Sequence, residues 1–151
     1  MNKSVLVREF QRREEAREQN RDQLHEEEGN PLASVVKRLL QYQNLFRIYH
    51  WQTRSYARHK ASDELVSSLG DLADRLVEGL QGANNQRVTF GRQVHSKLTD
   101  VDDREATQLV LNFKRWLSDL HQIVEFDSGI SNTRDEIIAL LDKTLYLFTF
   151  E

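Results

Sequence analysis

The chain has 151 residues, 38% of them apolar, and 21 lysines and arginines against 24 aspartates and glutamates for a formal charge of −3, which suits one domain with a real core. It has no cysteine, which excludes disulfides, thiolate nucleophiles and cysteine-based zinc or iron–sulfur centres, so any metal must rest on His, Asp and Glu. No apolar run approaches the roughly 18 residues of a membrane span and the N-terminus is charged rather than signal-like, so a soluble, unsecreted protein is expected, cytoplasmic or inside an assembled particle.

The first break is Gly29-Asn30-Pro31, with Asn30 as a helix cap and Pro31 in the first turn. Residues 1–29 before it form an N-terminal arm. Strong helix formers and pairs such as Glu9 with Arg13 and Glu18 with Arg21 predict a solvated helix over 4–28, with Val5, Leu6, Val7 and Phe10 as its apolar anchors. Residues 1–30 carry six basic against eight acidic side chains, so counterion release from nucleic acid would be weak and protein contact is the expected role of the arm. A cluster such as Arg8, Arg12 and Arg13 could still touch phosphate. Over the whole chain the basic residues are dispersed, which argues against a general grip on nucleic acid and leaves room for a local basic patch.

Residues 30–151 form the second unit. From Pro31 to about Thr53, apolar residues from Leu32 through Leu39, Leu45 and Tyr49 recur at three- and four-residue intervals, predicting helix A. Tyr49, Trp51 and Trp116 are expected in the core. Helix B is expected over about 56–81, with the seam Leu65, Leu69, Leu72, Leu76 and Leu80 and with Gly79 and Gly82 at its end. Residues 82–103 have no sustained period and read as a long connection with room for a short helix. Helix C is expected over about 103–126. Helix D is expected to begin near Ser131-Asn132-Thr133, where Thr133 and Glu136 fit a capping box, and to run through Phe148. Tyr146 to Phe150 also suits a strand. Short A–B and C–D links with a long B–C link predict an all-α, ferritin-like four-helix bundle in which one crossover joins two hairpins.

The candidate chemistry lies on helices A and B. His50 stands in IYHWQT, His59 in YARHKASDEL, and Asp74 and Glu78, four residues apart on one helix face, in LADRLVEGL. This pattern resembles the Dps branch of the ferritin superfamily, the miniferritins, which carry a His-Trp pair late in helix A, a second His at the start of B, and then Asp and Glu four apart. Asp142-Lys143 before Tyr146-Leu147 is similar to that family's ending. The chain also resembles a family of short ferritin-like proteins of phages and large DNA viruses, sharing the HWQT, SYARHKASDEL and NTRDEI types of segment. Both resemblances cover about residues 31–151.

The miniferritin resemblance implies a metal site of His50, His59, Asp74 and Glu78 shared between subunits. It also implies iron(II) binding and oxidation there, with zinc or another divalent ion as an alternative, in a homo-oligomer built on a two-fold dimer. His59 and Asp74 are fifteen residues apart, about 22 Å along one helix, so one ion cannot touch both in the same chain. Two departures stand against the pattern: His50 and His59 are closer in sequence than in typical Dps proteins, and no glutamate stands three residues before any of the five histidines, as an intrachain di-iron site would need. Each residue also has an ordinary reading. His50 can cap a helix end or stack on an aromatic ring, His59 can be a plain surface residue, and Asp74 with Glu78 can be a charged face. His25, His95 and His121 have no partner pattern. A ferroxidase, a structural or assembly protein of a viral or phage particle without catalysis, and a nucleic-acid-protecting protein are the three competing functions.

Overall fold

A computed structural model describes residues 29–150. The expected helical arm lies outside the described residues, apart from Gly29. Helix α1 (Pro31–Gln52) starts where Asn30 accepts a hydrogen bond from the Ala33 amide at 3.1 Å and Pro31 fills a position whose amide would have no partner. A turn of three residues, 53–55, leads to α2 (Tyr56–Ala83), whose cap Ser55 accepts from the Arg58 amide at 3.2 Å. Asn84 closes α2 with its side-chain amide on the Leu80 carbonyl, and Asn85 takes a left-handed φ of 46°.

Helix α3 (Asp103–Asp119) opens on a reciprocal capping box between Asp102 and Glu105 and passes into a 3₁₀ turn, Leu120–Gln122. The expected helix C is therefore seven residues too long. Its apolar period continues past the helix because Val124 is buried from irregular backbone, whereas Ile123 points out. Helix α4 (Ser128–Leu147) starts earlier than expected, on Asp127, which accepts from the Ile130 amide at 2.8 Å. Thr133 is no cap. It is buried in the second turn and donates back to the Gly129 carbonyl at 3.1 Å. Tyr146 and Leu147 remain helical, and residues 148–150 turn rather than extend.

The four helices pack as a square. Helix α1 lies against α2 and α3, and α4 lies against α2 and α3, leaving α1 diagonal to α4 and α2 diagonal to α3. Leu65, Leu69, Leu76 and Leu80 of the expected seam are buried with Phe46, Tyr49, Phe113 and Leu141, while Leu72 is half-buried against them. Trp116 and Tyr49 belong to this core, but Trp51 is 69% exposed. At ~100° per residue, Trp51 sits about 200° round α1 from buried Tyr49 and must face out.

Residues 84–102 contain no helix and carry the chain from one end of the bundle to the other. At the first end, Asn30 donates through its amide to the Thr89 carbonyl and through its side chain to the Arg87 carbonyl. At the other, Gln52 donates to Asp100 at 2.7 Å and accepts from the Val101 amide at 2.8 Å. Asn30 and Gln52 are 22 residues apart on α1, about 33 Å, and residues 89–100 span that length only if nearly extended. Among the described residues, no helix is long and apolar enough to cross a membrane.

Candidate functional site

The short α1–α2 turn brings the ends of two helices together and with them both candidate histidines. The imidazoles of His50 and His59 stack, with centroids 4.1 Å apart and planes 21° from parallel. Each ring addresses the other residue's backbone: His50 Nδ1 lies 3.2 Å from the His59 carbonyl, and His59 Nδ1 lies 3.0 Å from the His50 carbonyl. A carbonyl oxygen only accepts, so both Nδ1 atoms carry their protons. In the neutral rings both Nε2 atoms therefore hold a free lone pair, the tautomer a metal-ligating or proton-accepting histidine needs.

Two residues missed in the sequence complete this corner. Ser62 is buried, donates to the His59 carbonyl at 3.0 Å and sits 3.3 Å from His50 Nδ1. Asp63 approaches His50 Nε2 at 3.9 Å and Lys60 at 4.0 Å. Their signal was available, since Ser62 and Asp63 follow His59 by three and four positions and so share its side of the helix.

Behind the histidines a polar network fixes the same end of the bundle. The hydroxyl of fully buried Tyr49 donates to Asp103 at 2.7 Å, and Thr53 donates to the same carboxylate oxygen at 3.2 Å. Arg58 reaches the Tyr49 hydroxyl at 3.3 Å and the Asp103 carbonyl at 3.0 Å, with its guanidinium over the Phe148 ring at 4.7 Å. Burial raises the Tyr49 pKa above its ordinary value, opposed by the hydrogen bonds of Thr53 and Arg58 and reinforced by Asp103. The starts of α2 and α3 and the end of α4 are thereby tied to the end of α1.

Asp74 and Glu78 are not part of this corner within one chain. Both are exposed on α2, and Asp74 is fifteen residues beyond His59, about 22 Å along the axis. Among the described residues, no three His, Asp or Glu side chains converge so as to hold a metal ion. One chain supplies a prepared histidine pair and, elsewhere, a carboxylate pair.

The model of a family of unknown function, DUF5856, matches residues 50–148. The chain belongs to that family. The matched stretch begins at His50 and contains His59, Asp74 and Glu78, so all four candidate residues lie inside the DUF5856 region, while residues 1–49 fall outside it. The chain is also similar to a protein of Enterobacteria phage T4 described as an uncharacterized 14.6 kDa protein in the mobD-ri intergenic region. The two are 32% identical over 114 residues, covering 75% of this chain and 84% of the phage protein. No solved structure matches the chain.

Proposed function

We propose that this DUF5856 protein is a ferritin-like, miniferritin-type subunit that binds a divalent metal at a site shared by two copies of the chain, with iron(II) as a substrate that gives up one electron to a dissolved oxidant, dioxygen or a peroxide. The observation that carries the reading is the histidine pair, whose Nδ1 protons are both spent on backbone carbonyls while both Nε2 lone pairs are left for a ligand. Imidazole and carboxylate together suit iron(II) or zinc. The square of helices, with one crossover joining two hairpins, supports the ferritin-like reading. If two α2 helices pack antiparallel about a two-fold axis, Asp74 and Glu78 of the partner subunit come beside His50 and His59, and each dimer holds two such sites.

In this reading His50 and His59 hold the ion through Nε2. The carboxylates supply the negative charge that favours the more highly charged oxidised ion, and the backbone carbonyls keep both rings in the binding tautomer. The test is metal analysis of protein purified without chelator, followed by anaerobic titration with iron(II) and then with zinc. His50→Ala, His59→Ala and Asp74→Ala should each reduce affinity at least about tenfold, as loss of a ligand does, while light scattering shows a species larger than the 17.8 kDa chain. A wholly monomeric protein, or metal binding that Asp74→Ala leaves unchanged, would refute the shared site.

A second reading is an assembly protein without catalysis. It is favoured by the likeness to a phage protein and by exposed aromatics on the end of the bundle that carries the histidines, Trp51 at 69%, Tyr56 at 79% and Tyr146 at 62%. An oligomer that binds neither metal would select it.

A further inference from the structure

Two long stretches of the described chain hold no carboxylate. Between Gly29 and Ser62 stand Lys37, Arg38, Arg47, Arg54, Arg58 and Lys60 and not one Asp or Glu, and between Gly79 and Thr99 stand Arg87, Arg92 and Lys97, again with none. The fold sets these stretches side by side. The first holds α1 and its turn into α2. The second holds most of the crossover, which is hydrogen-bonded to α1 at Asn30 and passes its first two turns, where Lys37 of α1 and Arg92 and His95 of the crossover line one cleft. Among the described residues, none of Lys37, Arg47, Arg54, Arg92 and Lys97 has a carboxylate partner. This side of the bundle therefore carries an uncompensated positive field.

Apolar side chains are interleaved with these cations. On α1, Lys37, Leu40, Asn44, Arg47 and Trp51 follow one another at three or four residues, which puts them on one face of the helix, and all five are exposed. From Lys37 to Trp51 the stripe runs about 21 Å. The turn adds Arg54 and Tyr56, and the crossover adds Arg92, Val94, Lys97 and Leu98, every one of them exposed. The mixture decides between polyanions. Phosphates of a nucleic acid would use the cations and leave Leu40, Val94 and Leu98 in water. A lipid surface uses both kinds of side chain: anionic headgroups meet Lys and Arg, the acyl boundary takes Leu and Val, and Trp and Tyr rest at headgroup depth.

We infer that the side of the molecule formed by α1 and the crossover docks on an anionic lipid surface, with Lys37, Arg47, Arg92 and Lys97 on the headgroups and Leu40, Trp51 and Leu98 at the acyl boundary. The bundle lies on the membrane without crossing it, and the stems of the long cations reach past the apolar contacts to the charge. Neither His50 nor His59 belongs to this face, so the docking is independent of metal.

The test floats the full chain with vesicles of phosphatidylcholine alone and of phosphatidylcholine with about 30% phosphatidylserine; only the second should carry it. Raising salt from roughly 0.05 to 0.5 M should weaken that binding at least about tenfold. Lys37→Ala with Arg92→Ala should weaken it about 25-fold, since each cation close to such a surface contributes about fivefold. Leu40→Ser with Leu98→Ser should weaken it at least about fivefold. All four side chains are exposed, so these variants keep the fold, as circular dichroism checks. Lys143→Glu on α4, diagonal to α1, should leave binding within about twofold. Fluorescence reports the contact itself. Of the two tryptophans, Trp116 is in the core and Trp51 is on the docking face, so a blue shift on vesicle binding should vanish in Trp51→Phe. No flotation with the anionic vesicles, equal flotation with the neutral ones, or binding that the two Leu→Ser changes leave unaltered would each overturn the inference. A single-stranded oligonucleotide at the same phosphate concentration supplies the second arm. Tighter binding to it than to the vesicles, lost with Lys37→Ala and Arg92→Ala and indifferent to Leu40→Ser with Leu98→Ser, would make nucleic acid the occupant and overturn the lipid assignment.

Discussion

Tyr49 joins burial to charge at the end of the bundle where the histidines stack. Its ring is in the core, against Phe148, while its hydroxyl donates to Asp103. Tyr49→Phe keeps the ring and loses the bond to a charged acceptor, so unfolding in urea at neutral pH should show a cost of about 1–3 kcal/mol. The same side chain makes a pH prediction. Its folded pKa, like that of Tyr42, is raised by burial above the ordinary tyrosine value of 10.0. The stability tied to neutral phenols is therefore fully present below about pH 10 and lost as pH rises through the folded values, because the unfolded chain deprotonates first. The urea midpoint of the natural chain should fall above pH 10, and Tyr49→Phe should flatten that fall without abolishing it, since Tyr42 remains. Gly29 is the other residue that admits no neighbour in chemistry. Gly29→Ala must hold a positive φ and displace crossover backbone, and should cost about 1–3 kcal/mol in the same assay.

Among the elements, α2 carries most of the organisation. Its seam packs on one side to α1 and on the other to α4, its first turn holds His59 and Arg58, and its exposed face bears Asp74 and Glu78. Surface ion pairs add a frame rather than an anchor: Arg75 meets Glu136 of α4 in a bidentate pair at 2.8 and 3.0 Å, which lowers the Glu136 pKa, yet both groups stand in water. Burial should dominate accordingly. Leu69→Ala, with no exposure in the native fold, should destabilise by about 2–5 kcal/mol. Leu40→Ala on α1 has the same chemistry and a side chain 50% exposed, and should cost under about 1 kcal/mol. Thermal unfolding followed by circular dichroism separates the two; equal losses would mean that the square packing of α1, α2 and α4 is wrong.

Among the described residues, the helix caps and the core lie between Asn30 and Phe148, and residues 1–28 precede them in the chain. Deleting residues 1–28 should leave the helical signal of the four helices intact, with Asn30 still capping α1. Loss of helix well beyond the deleted stretch, read by circular dichroism, would show instead that the arm belongs to the core.

The sequence alone determined the features governed by local chemistry: four helices, the start of α1 at Asn30-Pro31, the α2 seam and the long second connection. Trp51 was legible in principle, because two residues from a buried Tyr49 is the wrong side of a helix. The α3–α4 junction was not. Asp127 and Thr133 are both sound caps by composition, and the first is used: it accepts from the amide of Ile130, which is buried in the core, while Thr133 is itself buried one turn further on. Apolar Val124 continues the helical period while packing from irregular backbone, since burial sets that spacing and not hydrogen bonding. The histidines show the same limit. Their nine-residue separation gave two candidate ligands, but only the three-residue turn between antiparallel helices stacks the rings and commits both Nδ1 protons to backbone carbonyls. Asp74 and Glu78 stay on an open face because a single helix holds them a fixed distance from His59, and nothing within one chain can shorten it.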